Sequence, residues 1–320
     1  MTVDLRGLGR RDVCAGLLLP PVLNRSLVGT GHHILATSAP DAPRPGYELR
    51  RLWRFGGGFP LRPATGDVYR DRSALNGDAG TWAPRYMWTY DAARGASTIN
   101  GWDPAGNPHP TKEQQAYINP FASAVNAAHS PFIAMPDHGV IRGQPRPAAL
   151  EASIPQPYVS GCMITRGSYA LTYGWIETRM RLPRGKGLWS AFWLLPDEGG
   201  WPPEIDILEA DGGNPHRYYV SVHWGDRGSN KKYLTQPIDN LPDLTGSWHS
   251  YAVHWGPEWC DFYFDRRQVA RIATPEQLKG RACYLLVNLA VGGPWFGPPD
   301  HTTPFPADLA IDWVGVWQEG

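Results

Sequence analysis

What this chain has little of is charge. Lys, Arg, Asp and Glu make up 19% of its 320 residues, and the 30 basic side chains cancel the 30 acidic ones. No basic or acidic excess exists to draw in a polyanion, which argues against nucleic acid or a membrane surface as partner. Cysteine is scarce too: Cys14, Cys162, Cys260 and Cys283 are the whole supply. None is arranged as CxxC, so zinc-cluster and thioredoxin chemistry have no support. With Cys14 in a leader-like stretch, three remain, either buried thiols acting as small hydrophobes or one disulfide with an odd thiol. The apolar run from Val13 to Leu23 is far too short to span a bilayer. There is no internal repeat, phosphate loop, nucleophile-triad signature or run of metal ligands.

What the chain does have is Gly (36), Pro (32) and Trp (15). The first two together exceed average usage, about 7% and 5%. That profile fits short strands, many turns and an aromatic-lined surface rather than a helical protein. Arg10-Arg11 before the apolar run, and Ala36-Thr37-Ser38-Ala39 after it, read as a cleavable export signal over residues 1–39. The paired arginines are compatible with twin-arginine export, which makes the expectation a secreted protein, extracellular or periplasmic. Residues 40–66, with Pro40, Pro43, Pro45 and Gly56-Gly57-Gly58, read as a linker or irregular wrap, and residues 67–320 as one domain.

Within that domain Trp82, Tyr86, Trp88 and Tyr90 alternate like a strand, and Phe132 to Ile141 alternates again. Tyr173 to Leu182 alternates polar and apolar over its length, as a strand wet on one face would. Leu188–Leu195, Tyr218–Trp224, His249–Trp255, Trp259–Asp265, Cys283–Ala290 and Ile311–Trp317 are further strand candidates. A single helical hint lies at Pro275–Lys279. Many short strands separated by Gly and Pro turns argue for an all-β sandwich or barrel.

The stretch around which the rest is organised is Trp201-Pro202-Pro203-Glu204-Ile205-Asp206-Ile207-Leu208-Glu209. Its interleaved isoleucines suit a strand, with Glu204 and Asp206 on one face and Ile205 and Ile207 in the core. Strict alternation would then bury Glu209, which is costly, whereas one extra residue, a β-bulge, returns it to the acidic face. The competing readings are a short helix opened by Pro-Pro-Glu and closed by Asp211-Gly212-Gly213, and a merely solvated acidic edge. Such a helix would be rich in β-branched residues and would set like charges a turn apart.

Two carboxylates on one strand face suit glycosidic chemistry. A retaining glycosidase needs its nucleophile and its proton donor ~5–5.5 Å apart, and i, i+2 positions along a strand lie ~6.6–6.8 Å apart. A third carboxylate between them helps keep the proton on the donor. Trp and Tyr rings nearby suit the apolar faces of sugars.

At these residues the sequence resembles glycoside hydrolase family 16, whose signature is E-x-D-x-(x)-E. Tyr158–Gly161, Tyr173–Arg179, Gly187–Pro196, Asn288–Gly293 and, more weakly, Asp312–Val316 look like further blocks of the family, in the right order. The extra Leu208 is similar to the bulged branch of laminarinases, agarases and carrageenases. The flanking residues most resemble bacterial glycanases that trim succinoglycan-type exopolysaccharides.

The resemblance implies a β-jelly-roll of two stacked antiparallel sheets with the cleft across the concave one. It implies that Glu204 is the nucleophile, Asp206 the electrostatic assistant and Glu209 the acid/base. The expected function is then a secreted retaining endo-β-glycanase on β-1,3/β-1,4 glucan or exopolysaccharide, acting as a monomer with polysaccharide as its partner. A transglycosylase or a non-catalytic carbohydrate binder is the alternative. The resemblance implies no cofactor for catalysis, but many members bind a structural calcium, and Asp312 occupies a ligand position.

Candidate substrate-binding residues are Trp189, Trp193, Trp201, His223, Trp224, Arg179, Asn288 and Trp295. Each has a structural reading beside it: core packing for the tryptophans, a packed or surface histidine, a carboxylate partner for Arg179. Glu177 reads as structural. Three departures from the family are Trp189-Ser190-Ala191-Phe192-Trp193, Val314-Gly315-Val316 and the blurred block at Asp67–Asp71.

Overall fold

The computed structural model describes residues 39–63, 81–86, 90–98, 113–226 and 230–320. Residues 1–38 of the stretch read as an export signal, Cys14 among them, the Asp67–Asp71 block, Trp88 and the loop at Trp102–Pro108 lie outside the described residues. The compact unit runs from Asp41 to Gly320.

Seventeen strands are described. They are β1 (Tyr47–Arg54), β2 (Ala96–Ser97), β3 (Gln115–Ile118), β4 (Phe132–Ala134), β5 (Gly139–Pro145) and β6 (Tyr158–Ser160). Then come β7 (Cys162–Ile164), β8 (Gly174–Arg181), β9 (Leu188–Pro196), β10 (Glu204–Asp211), β11 (Tyr218–Gly225) and β12 (Lys231–Ile238). The series ends with β13 (His249–Trp255), β14 (Trp259–Phe264), β15 (Arg267–Ala273), β16 (Cys283–Val291) and β17 (Ala307–Glu319). The single α-helix among the described residues, α1 (Ala124–Ala128), is capped by the Ser123 hydroxyl, which accepts from the Asn126 amide at 3.1 Å.

Two sheets result. The larger runs β15-β14-β13-β8-β17-β5-β6-β3-β2, with β1 added to β17 and β4 to β5; the smaller runs β12-β11-β10-β9-β16-β7. All pairings are antiparallel except β3 with β6. The core between the sheets takes one face of each strand: Leu188, Phe192 and Leu194 of β9, Val220 and Val222 of β11, Ile176 and Met180 of β8, Val314 and Val316 of β17. This is the all-β sandwich expected from the strand pattern. Burying those aliphatic faces is the main stabilising term, at roughly 25 cal/mol per Å² of apolar surface.

Each sheet also carries material on its other face. On the larger sheet, Trp175, Ala252, Tyr263, Trp313 and Trp317 form an aromatic layer. On the smaller, Ala191, Trp193, Leu195, Tyr284 and Leu286 are covered in part by Ala83, Tyr86 and Tyr117. This second covering explains why β16 is buried along its whole length, as strands covered on both faces are.

The structure differs from the sequence reading in several places. The segment taken as linker or wrap contains β1, which pairs along the C-terminal half of β17, and Trp53 and Phe55 enter the core. A bulge between Leu49 and Arg51, beside two arginines, hides the alternation there. Trp82 and Ala83 form only isolated bridges, to Leu61 and Ile164, instead of a strand. Phe132–Ile141 is a hairpin, β4 and β5, and the helical hint at Pro275 is a single 3-10 turn, Glu276–Leu278. Of the two readings of the cysteines, the buried thiols hold: Cys162, Cys260 and Cys283 are all free and buried. Gly315 stands where an added Cβ would come within 2.4 Å of the Trp317 indole, so that ring occupies the space of the missing side chain.

Candidate active site

β10 is a bulged strand. Its register with β11 slips between Asp206 and Glu209, and with β9 between Asp206 and Leu208. Ile205, Ile207, Leu208 and Ala210 all enter the core, so two consecutive residues point inward at the bulge. Glu204, Asp206 and Glu209 therefore share the outer face of the smaller sheet, as desolvation demands. The helix reading fails for the reason its composition suggested: β-branched residues between acids pack on a pleated surface.

The three acids differ in company. The Trp201 indole donates to Glu204 Oε2 at 3.0 Å. His223, opposite Glu204 on β11, places Nε2 3.2 Å from Asp206 Oδ2 and 3.5 Å from Glu204 Oε1. Glu209 receives the Ser221 hydroxyl at 3.3 Å, and that hydroxyl also meets Thr235 Oγ1 at 2.9 Å. The Trp189 indole N–H lies near Glu209 without reaching hydrogen-bond geometry, and it too favours the charged form.

Burial and mutual repulsion raise all three pKa values. Glu204 rises to about 8, chiefly by desolvation and then by Asp206, against the pull of His223 and Trp201. Asp206 rises to about 8 by desolvation, opposed by its contact with Glu204 and by Lys231. Glu209 is pushed well above the carboxylate range by burial and then by the charges of Asp206 and Glu204. Of the three, Glu204 has the N–H donor that stabilises an anion, and Glu209 has two like-charged neighbours holding its proton on.

Around the acids, Trp189 and Trp193 project from β9 on the same face, opposite Asp211 and Asp206 respectively. Trp193 is buried: its N–H donates to Asn288 Oδ1 at 2.8 Å, and its ring stacks on Tyr86 with centroids 6.2 Å apart. Asn288 therefore lies on the acidic side of the sheet but beneath Tyr117, holding Trp193 in place. The Trp201 ring faces His223 at 6.3 Å and carries the Lys231 ammonium 4.8 Å above it. Trp295 stacks on Phe296 at 4.6 Å and meets Tyr219 and Trp189. Trp295, Phe296 and Tyr219, with Asp211, Asn214 and Arg217, line a cavity of about 260 Å³ beyond Glu209.

Two candidates are elsewhere. Trp224 packs against the core between the sheets, because alternation from His223 turns it inward. Arg179 belongs to β8 of the larger sheet and projects from its outer face, where Nη1 bonds Asp312 Oδ2 at 2.6 Å and the guanidinium lies over Trp248. It is a carboxylate partner, remote from the acids. The Asp312 carboxylate is correspondingly engaged by a cation, a poor arrangement for a calcium ligand. Among the described residues, Glu204, Asp206 and His223 are the one group of three metal-ligating side chains brought together. Glu177 is buried and held by Trp175 and Arg266, a structural role.

Sequence reasoning missed Ser221, Tyr219, Lys231, Tyr86, Glu113 and Tyr233, whose ring stacks on His223 with centroids 5.6 Å apart. Counting back by twos from His223 would have reached Ser221 and Tyr219. Nothing local marked Tyr86 or Glu113, which arrive over the sheet from distant segments.

The family model for glycosyl hydrolases family 16 matches residues 138–315, more than half the chain. The chain belongs to glycosyl hydrolase family 16. Two Rhizobium meliloti proteins, the endo-1,3-1,4-beta-glycanases EglC and ExsH, are 35% and 34% identical to it over 78% of this chain. The chain spans half the length of each of those relatives. A laminarinase catalytic domain from Thermotoga maritima superposes with a TM-score of 0.62 at 25% identity, over 86% of this chain and 99% of that one. The jelly-roll expected from the sequence is the fold found.

Proposed function

We propose that this protein is a retaining endo-β-glycanase that hydrolyses β-1,3/β-1,4-linked glucan or a related exopolysaccharide. The observation that carries this is the bulged β10, which presents Glu204, Asp206 and Glu209 on one face, with an N–H donor on the first and the last buried beside two acids that raise its pKa. The names of the family members above, glycanases and laminarinases, agree in substrate class.

In the first step the Glu204 carboxylate attacks the anomeric carbon while Glu209 gives its proton to the departing glycosidic oxygen. The bond to the leaving sugar breaks as the ester to Glu204 forms. Glu209, now ionised, takes a proton from water, whose oxygen attacks the same carbon and releases Glu204. Asp206 sits between the two. Its negative charge, when present, keeps the proton on Glu209 and stabilises the positive character that develops on the sugar. The rings of Trp189, Trp201 and Trp295 offer platforms for sugars along the face. A leader that exports the chain to an extracellular or periplasmic polysaccharide belongs to the same reading.

The test is a paired assay of wild type and Glu204→Gln on laminarin, mixed-linkage β-glucan, carboxymethylcellulose and succinoglycan, following chain length and reducing ends. Rapid loss of chain length on at least one polymer, absent in the variant, is expected. Products longer than the donor would favour transglycosylation. Binding without cleavage by wild type would overturn the reading.

A further inference from the structure

Glu113 is a fourth carboxylate on the acidic side of the smaller sheet. It forms an isolated bridge to Gly292 just past the end of β16, and the next residues are clamped there: the Gln114 amide donates to Val291 O, and Gln115 Oε1 accepts the Val291 amide, both at 2.7 Å. A Cβ placed on Gly293 would sit 3.4 Å from the Trp189 ring and 3.5 Å from Glu113 Cγ, so the indole and the Glu113 side chain flank a glycine that leaves them room. Glu113 Oε2 accepts from Gln115 Nε2 at 2.7 Å and from the Tyr117 hydroxyl at 3.3 Å. Tyr117 in turn accepts from Asn288 Nδ2 at 3.0 Å. Asn288 lies across from Ala191 on β9, and Ala191 lies across from Glu209 on β10. The small Ala191 thus forms a low point in the floor, with Glu209 on one side and the Glu113–Tyr117–Asn288 chain on the other.

Both hydrogen bonds to the carboxylate end on one oxygen. Oε1 has no partner among the described residues, and none of their Lys or Arg side chains pairs with Glu113. A buried carboxylate without a cation is expensive. A glutamine could accept from Gln115 and Tyr117 through its carbonyl at far lower desolvation cost, so the scaffold alone has no use for a carboxylate here. Burial lifts its pKa to about 7, with Gln115 and Tyr117 pulling the other way.

We propose that Glu113 is a specificity-determining residue whose Oε1 accepts hydrogen bonds from hydroxyls of the sugar ring lying over Ala191 and Trp189, next to Glu209. The sugar it selects is neutral and unsubstituted at those hydroxyls. An acylated hydroxyl has no proton to donate, and an anionic substituent would face a carboxylate. This rests on the glycanase reading above and deepens it.

The experiment measures binding of laminarihexaose by calorimetry to Glu204→Gln and to Glu204→Gln/Glu113→Gln, with melting curves of both. A charge-assisted hydrogen bond lost to an amide predicts binding weaker by about 10-fold or more, with closely similar melting temperatures. In the active background, Glu113→Gln should raise KM by more than it lowers kcat, and Glu113→Asp should recover part of the loss. Equal affinity of the two proteins within about 2-fold would overturn this proposal alone. So would a loss that merely tracks a lower melting temperature. Fully O-methylated laminarihexaose bound by Glu204→Gln as tightly as the unmodified sugar would overturn it without recourse to substitution at position 113. No binding of laminarihexaose by Glu204→Gln itself would remove the glucan reading and this inference together.

Discussion

At the scale of single residues, the site is a contest between desolvation and function. Glu204, raised to about 8, ionises freely in the unfolded chain from about pH 4 upward. In the fold it stays protonated longer. Its contribution to stability is therefore fully present below the unfolded pKa and is lost as pH rises toward 8. Glu204→Gln removes that loss, so at pH 8 the variant should melt higher than wild type by several degrees, roughly 1–3 kcal/mol, and at pH 4 the two should coincide. Calorimetric scans at the two pH values check this. The double displacement proposed above needs Glu204 ionised and Glu209 protonated, and burial raises both pKa values above the ordinary carboxylate range. The pH profile of kcat/KM should accordingly be bell-shaped and higher at pH 7 than at pH 5. Trp201→Phe deletes the N–H donor on Glu204 and should move the acidic limb of that profile up by up to about one unit. Arg179→Ala, by contrast, should leave KM where it is, because its partners are Asp312 and Trp248 on the other sheet.

At the scale of elements, the bulge in β10 decides where Glu209 points. Deleting Leu208 leaves Glu204-Ile205-Asp206-Ile207-Glu209 in plain alternation, with the faces of the downstream residues unchanged. The chain should still fold, but without the buried Leu208 side chain it should lose about 2–5 kcal/mol, and Glu209, drawn nearer to Asp206, should catalyse poorly. Thermal melts and initial rates on the preferred polymer measure both. This bulge was legible in the sequence because three acids and three aliphatics fit only one pattern on a half-buried strand. β8, β9, β11, β13 and β16 were legible for the same reason: alternation, or an unbroken apolar run between turns. β1 was not, since Arg50, Arg51 and a bulge break its period, and its partner β17 lies at the far end of the chain. Trp224 was misplaced by one residue of phase. Arg179 was misplaced because a sequence block does not say on which sheet, or on which face, a side chain emerges. Glu113 and Tyr86 were beyond reach because they come to the site by tertiary packing rather than along a strand.

At the scale of the molecule, the two sheets divide the labour. The larger carries the aromatic layer of Trp175, Tyr263, Trp313 and Trp317 on its outer face and receives β1 along β17. The smaller carries the acids. Removal of residues through Phe59 would expose the edge of β17 and take Trp53 and Phe55 from the core. The truncated chain should melt well below the full one and be cleaved faster by protease.

The measurement that bears most directly on the account is trapping of the glycosyl-enzyme. Wild type treated with a 2-deoxy-2-fluoro β-glucan oligosaccharide bearing a good leaving group, then digested and sequenced by mass spectrometry, should carry one sugar ester, on Glu204. Glu204→Gln should carry none. An ester on Glu209 or Asp206, or polymer hydrolysis by wild type that inverts the anomeric configuration, would contradict the assignment of roles along β10.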